Sequence, residues 1–281
     1  MSLRLVTVML VLAAAACGGG GPADACVATV TSPCPPIDTT TTPTNVTTGF
    51  VTKTLVDQGN TYGFQVFIPA NYNSTTVKLP VILFLHGSSE KGTDNVKQMT
   101  VGLGPYVKAR ESTFPAIVVF PQGPPGEGLA AILTVDRVSY GALTQVLTEY
   151  TKTDPARVYM TGLSYGGFRA FEIAYQHPTT FAAIVPIAAS ILPVGLSGST
   201  STTFTQGVQL AVNGLKSIPM SQFHGAVDGN VPVTQAREIS AAFKSAGAPF
   251  TYTEYPTGGH AIWDAVYADA NMWTWLYAQS R

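Results

Sequence analysis

Charge is scarce in this chain of 281 residues. Asp, Glu, Lys and Arg make up 11% of it, against about 25% in ordinary globular domains. The formal net charge is −1, so the balance offers no field for a nucleic acid or an acidic polymer. Cysteine is also scarce. The three cysteines are Cys17, Cys26 and Cys34, all far from the motifs described below, which excludes a thiol nucleophile and a zinc site. No apolar run reaches the about 20 residues of a membrane-spanning helix. Only four histidines are available as a base.

Apolar residues, at 46%, suffice for a sizeable core. The length permits one large α/β domain. A short basic start precedes the apolar run 5–16, which fits the hydrophobic region of a signal peptide. The run closes on Ala14-Ala15-Ala16-Cys17, which is similar to a bacterial lipoprotein signal with Cys17 as the lipidation site. The other reading is ordinary cleavage after an A-x-A site, followed by secretion. Either way, Cys26 and Cys34 remain as a pair. In an oxidising compartment they are candidates for a local disulfide, and two free thiols are the alternative. Residues 18–49 are rich in Gly, Pro and Thr without hydrophobic periodicity. They read as a tether or as a leader without a role. The domain expectation is therefore a signal over 1–17, a tether over 18–49 and a catalytic domain over 50–281.

Within 50–281, alternating segments 51–56 and 62–68 flank Gly59-Asn60, a hairpin signal. Continuous apolar runs at 79–85, 116–120 and 158–161 suit strands covered on both faces. Further strands are expected at 181–188, 220–223 and 250–255. Helical patterns fall at about 135–151, 166–176, 233–246 and 262–279. This alternation predicts a mostly parallel sheet with helices on both faces and an antiparallel hairpin at one edge. Residues 189–217, rich in Ser, Thr and Gly, do not fit a compact crossover. They read as a lid over the site or as a solvated insertion.

The segment RVYMTGLSYGG, residues 157–167, reads as strand, then Gly162-Leu163-Ser164-Tyr165-Gly166, then helix. That is the context of the G-x-S-x-G nucleophile elbow. Ser164 is the candidate nucleophile, and its hydroxyl needs an adjacent base. His260, following Gly258-Gly259 after the last strand, is the candidate base. His86 reads as ordering a loop, His177 as a surface cation ending a helix, and His224 as strand-end packing. Asp228, in the loop His224-Gly225-Ala226-Val227-Asp228-Gly229, is the candidate acid that holds the imidazole. Asp264 is its nearest rival. The oxyanion donors are expected from the amides of Tyr165 and Ser88. Glu90 and Lys91 read as solvated loop charges. A full set of Ser, Asp and His candidates argues against a non-catalytic binding module.

With these residues the chain resembles the α/β-hydrolase superfamily over 50–281. Within it, LPVILFLHGSSEKGTDN and GGHAIWDAVYADANMWTWL are similar to esterases and peptidases related to feruloyl esterases and polyhydroxybutyrate depolymerases. The resemblance implies an α/β-hydrolase fold and an exported serine esterase. It assigns the triad to Ser164, Asp228 and His260 and the oxyanion donors to Ser88 and Tyr165, and it places Trp263 close to the site as a substrate-binding residue. No cofactor or metal is implied. The expected partner is an ester, small or polymeric. The expected assembly is a monomer, with membrane contact only through an N-terminal lipid. A peptidase with the same triad is the alternative.

Overall fold

The computed structural model describes residues 45–192 and 203–281. Cys17, Cys26, Cys34, the signal and most of the tether lie outside the described residues, as does the stretch 193–202 of the expected lid. Residues Asn45–Arg281 form one compact unit.

Among the described residues, eight strands build one sheet: β1 (Gly49–Asp57), β2 (Asn60–Ile68), β3 (Leu79–Leu85), β4 (Ile117–Pro121), β5 (Thr153–Leu163), β6 (Ala183–Ile187), β7 (Met220–Gly225) and β8 (Phe250–Tyr255). Their spatial order is β1-β2-β4-β3-β5-β6-β7-β8. The six strands from β4 to β8 in that order are parallel, whereas at one edge β2 runs antiparallel to both β4 and β1. This agrees with the expected mostly parallel sheet with an antiparallel hairpin. β3 and β4 are buried at every position, which is why their sequences are unbroken apolar runs rather than alternating ones.

Among the described residues, seven α-helices flank the sheet: α1 (Leu103–Lys108), α2 (Gly128–Glu149), α3 (Tyr165–Gln176), α4 (Phe204–Leu215), α5 (Val233–Ser245), α6 (Trp263–Ala268) and α7 (Ala270–Tyr277). One core layer joins the sheet to α2, α3, α4 and α5 through residues such as Leu143, Phe171, Val212 and Phe243. The other joins it to α1, α6 and α7 through Val107, Val266, Trp273 and Leu276. Behind α3, the buried guanidinium of Arg169 grips Asp136 of α2 with two bonds, 2.8 and 2.7 Å. The desolvation of both charges offsets much of the attraction between them.

Two expectations are corrected. Residues 189–217 are not a long loop throughout, because 204–215 is a helix. Thr203 accepts from the Gln206 N–H while the Gln206 side chain accepts from the Thr203 N–H. This capping box starts the helix despite the polar sequence before it. The expected single helix over 262–279 breaks at Asp269, whose carboxylate accepts from the Asn271 N–H and begins a second helix. Among the described residues, no helix is long and apolar enough to cross a membrane.

Candidate active site

The C-terminal ends of the parallel strands carry the site. β5 ends at Leu163, and Ser164 turns the chain with φ 50° and ψ −120° before α3 begins at Tyr165. A side chain is strained at this positive φ. The turn is tight because Gly162 and Gly166 permit it. A Cβ on Gly162 would stand 2.4 Å from the Gly166 carbonyl oxygen, and one on Gly166 would stand 2.0 Å from that of Leu85. The Ser164 N–H donates to the Ile187 carbonyl at 2.9 Å, which ties the elbow to β6.

The hydroxyl of Ser164 donates to His260 Nε2 at 2.8 Å, and the Nδ1–H of His260 donates to Asp228 Oδ2 at 2.8 Å. These residues come from three different loops, after β5, β7 and β8. The Asp228 carboxylate is fully buried and the His260 ring is 18% exposed. The other oxygen of Asp228 accepts from the amides of Asn230 and Val231, at 2.8 and 2.9 Å. Burial alone would raise the Asp228 pKa, but the donors from Val231, His260 and Asn230 hold it below the ordinary carboxylate value. Asp228 is therefore an anion facing the imidazole. Asp264, its rival in the sequence, sits at the start of α6 and makes no ion pair among the described residues.

His224 packs at the end of β7, fully buried. It also donates from Nε2 to the Val231 carbonyl at 2.9 Å and lies 3.3 Å from Asp228 Oδ2. It thereby pins the loop that carries the acid.

Ser88 opens a short 3₁₀ turn over Ser88–Glu90, and Tyr165 opens α3. The N–H groups of first-turn residues have no acceptor within their own helix, so both are free to face an anion. The loop that holds Ser88 is fixed from β4. Buried His86 donates from Nδ1 to the Gly87 carbonyl at 2.6 Å and accepts the Gly123 N–H on Nε2 at 2.8 Å. Burial lowers its pKa, the main effect on it, and keeps it neutral for this double role. Buried Gln122 donates to the Glu90 carbonyl (3.0 Å) and Asp94 (2.9 Å) and accepts from the Asn95 N–H (2.6 Å). Gln122 carries no sequence signal beyond following a strand end, because its partners come from a loop about 30 residues earlier in the chain.

Trp263 stands edge-on to His260, with ring centroids 5.7 Å apart, and lines the same cleft as Ser88, Ser164 and His260. The Tyr165 ring does not line that cleft. It lies beneath Lys91 Nζ at 5.0 Å. Three readings of charges are corrected here. Lys91 is not a solvated loop charge, since it donates to the Gly126 carbonyl and to Glu127. Glu90 is half-buried and lines the cleft, where burial raises its pKa. His177 is not a surface cation, because it stacks on Tyr140 and burial lowers its pKa. Among the described residues, no His, Cys, Asp and Glu side chains gather into a group that could hold a metal ion.

The prolyl oligopeptidase family model matches residues 140–217, which include the elbow. A protein of Oryza sativa subsp. japonica named as a probable carboxylesterase is 26% identical over 207 residues, spanning 65% of this chain and 82% of that protein. A crystal structure of a thermostable esterase is 27% identical with a TM-score of 0.64 and covers 83% of this chain, while this chain spans 63% of that one. A ferulic acid esterase, 19% identical, shares the fold with a TM-score of 0.61 over 83% of this chain and 98% of its own. A parallel sheet with an antiparallel edge pair, a serine on a strained strand-to-helix turn and these relatives together place the chain in the α/β-hydrolase superfamily.

Proposed function

We propose that the protein is an exported serine carboxylic-ester hydrolase that acts through an acyl-enzyme on Ser164. The observation that carries this reading is the unbroken relay from Ser164 Oγ to His260 and on to Asp228, each link 2.8 Å. It stands at the wall of a cleft of about 390 Å³, which is the size range of small-molecule sites. His260 takes the Ser164 proton as the oxygen attacks an ester carbonyl, and the anionic Asp228 stabilises the resulting imidazolium. The tetrahedral oxyanion is received by the amides of Ser88 and Tyr165, at the N-terminal end of α3. His260 then returns the proton to the departing alcohol. Water, deprotonated by the same imidazole, releases the acid and restores Ser164.

The relatives support hydrolysis by an esterase or a peptidase, and the carboxylesterase and thermostable esterase likenesses favour the ester. The match to the prolyl oligopeptidase family favours a second reading, a serine peptidase using the same three residues on an amide. Fold and triad do not fix the leaving group. Export rests on the run 5–16, and a lipid on Cys17 would hold the catalytic unit at an envelope membrane.

Hydrolysis of p-nitrophenyl esters from acetate to long chains, set beside a matched aminoacyl anilide, tests the reading. Wild-type turnover of esters that vanishes in Ser164→Ala supports it. Turnover of the anilide alone would replace it with the peptidase.

A further inference from the structure

The cleft does not end at His260. A second pocket of about 320 Å³ adjoins it, and Val101 and Trp263 line both. Each pocket carries one carboxylate, Glu90 beside Ser164 and Asp264 beyond Trp263, and neither is lined by Lys or Arg. Neither carboxylate makes an ion pair among the described residues. The cations next to these residues have partners of their own. Lys91 is held by Gly126 and Glu127, and Arg110 lies on the ring of Tyr106, 3.8 Å from its centroid, behind one wall of the second pocket.

The direction of the substrate follows from the chemistry. The departing oxygen must lie at His260 Nε2 to receive its proton. Trp263 stands edge-on to that imidazole, at 88°, and lines both pockets, so the second pocket is the adjoining space into which the alcohol half would extend. Trp263, Tyr106 and Asp264 line that space. An aromatic face next to an unpaired carboxylate attracts a cation, and Trp is the strongest such face. We infer that the cleft selects esters whose alcohol half carries an alkylammonium group, held between Trp263 and Asp264, and disfavours anionic esters. This rests on the esterase reading above. Glu90, which lines the Ser164 cleft, would add to the second effect as an anion.

The test compares three acetate esters of similar length at low salt. They are 2-(trimethylammonio)ethyl acetate, its neutral isostere 3,3-dimethylbutyl acetate, and a carboxyalkyl acetate. The expected order of kcat/KM is cationic over neutral by about tenfold and neutral over anionic by a similar factor, the size of one partly screened charge contact. Asp264→Asn should reduce the cationic advantage to about twofold or less, and Glu90→Gln should narrow the gap between neutral and anionic esters. Raising the salt to about 0.5 M should compress both ratios, because the Debye length shortens. Asp264 is exposed, so its variant is expected to fold, with melting as the control. Equal turnover of the three esters by the wild type, or a cationic advantage that survives Asp264→Asn, overturns the inference while leaving the esterase reading intact. Failure to turn over even the neutral ester, with no labelling of Ser164 by a fluorophosphonate, overturns both.

Discussion

Gly225 and Gly259 meet backbone to backbone: a Cβ on Gly225 would stand 2.1 Å from the Gly259 carbonyl oxygen and 2.3 Å from that of Gly258. The loop that carries Asp228 and the loop that carries His260 touch at this point, and the Val227 N–H donates to Gly258 at 3.0 Å. The bond between the acid and the base depends on this approach. Gly225→Ala should push the loops apart. We expect kcat to fall about 100-fold, as for a misplacement of about 1 Å, with about 1–3 kcal/mol lost from overpacking. Steady-state kinetics and urea unfolding check both numbers. Full activity would show that the loops can separate without harm.

The proposed triad makes a kinetic prediction. Ser164→Ala should lower kcat roughly 10⁵–10⁶-fold. Asp228→Asn should lower it about 10⁴-fold, because an amide does not hold the imidazole in the tautomer that accepts the serine proton. Both variants should retain the wild-type circular dichroism. Residual ester turnover above one part in a hundred in Ser164→Ala would remove Ser164 from the mechanism.

Gln122 positions the loop of Ser88 through three bonds. Gln122→Ala should lower kcat about 10- to 100-fold, less than the roughly 10²–10³ lost when an oxyanion donor is deleted. KM should change by less than threefold, since the loss falls on the transition state. A change confined to KM would instead mark Gln122 as lining the substrate site.

Acid sensitivity should come in part from Glu254. Its carboxylate accepts two bonds from Arg237 and one from Tyr252. The Arg237 bond first, then the Tyr252 bond, lower its pKa to about 2 from 4.5. A lowered pKa means that the folded state favours the anion. Its contribution is therefore full above pH 4.5 and disappears as the pH falls towards 2. Thermal melting across that window should drop less in Glu254→Gln than in the wild type. Parallel curves would show that the Arg237 contact adds nothing to stability.

Much of the fold was legible because its signals are local. The buried runs at 79–85 and 116–120 differ from the alternating hairpin at 51–68, and that difference separates parallel from antiparallel strands. Helix α4 was not legible, since a polar Ser/Thr stretch masks a capping box that only the Thr203 and Gln206 geometry reveals. The break at Asp269 was missed for a similar reason: apolar spacing continues through it while the backbone does not.

The sequence by itself determined the elbow, because Gly162, Ser164 and Gly166 act on their immediate neighbours and the turn needs nothing distant to be recognised. It also narrowed the base and the acid to His260 and Asp228 by their place after strands. Only the tertiary structure decided that these residues meet. His260 is 96 residues from Ser164 and 32 from Asp228 in the chain. Pairing β5, β6, β7 and β8 in parallel brings their C-terminal ends to one edge, where the loops converge. The same pairing, with β4 beside β3, brings Gln122 to the loop of Ser88. Such contacts depend on strand order, which no local pattern encodes.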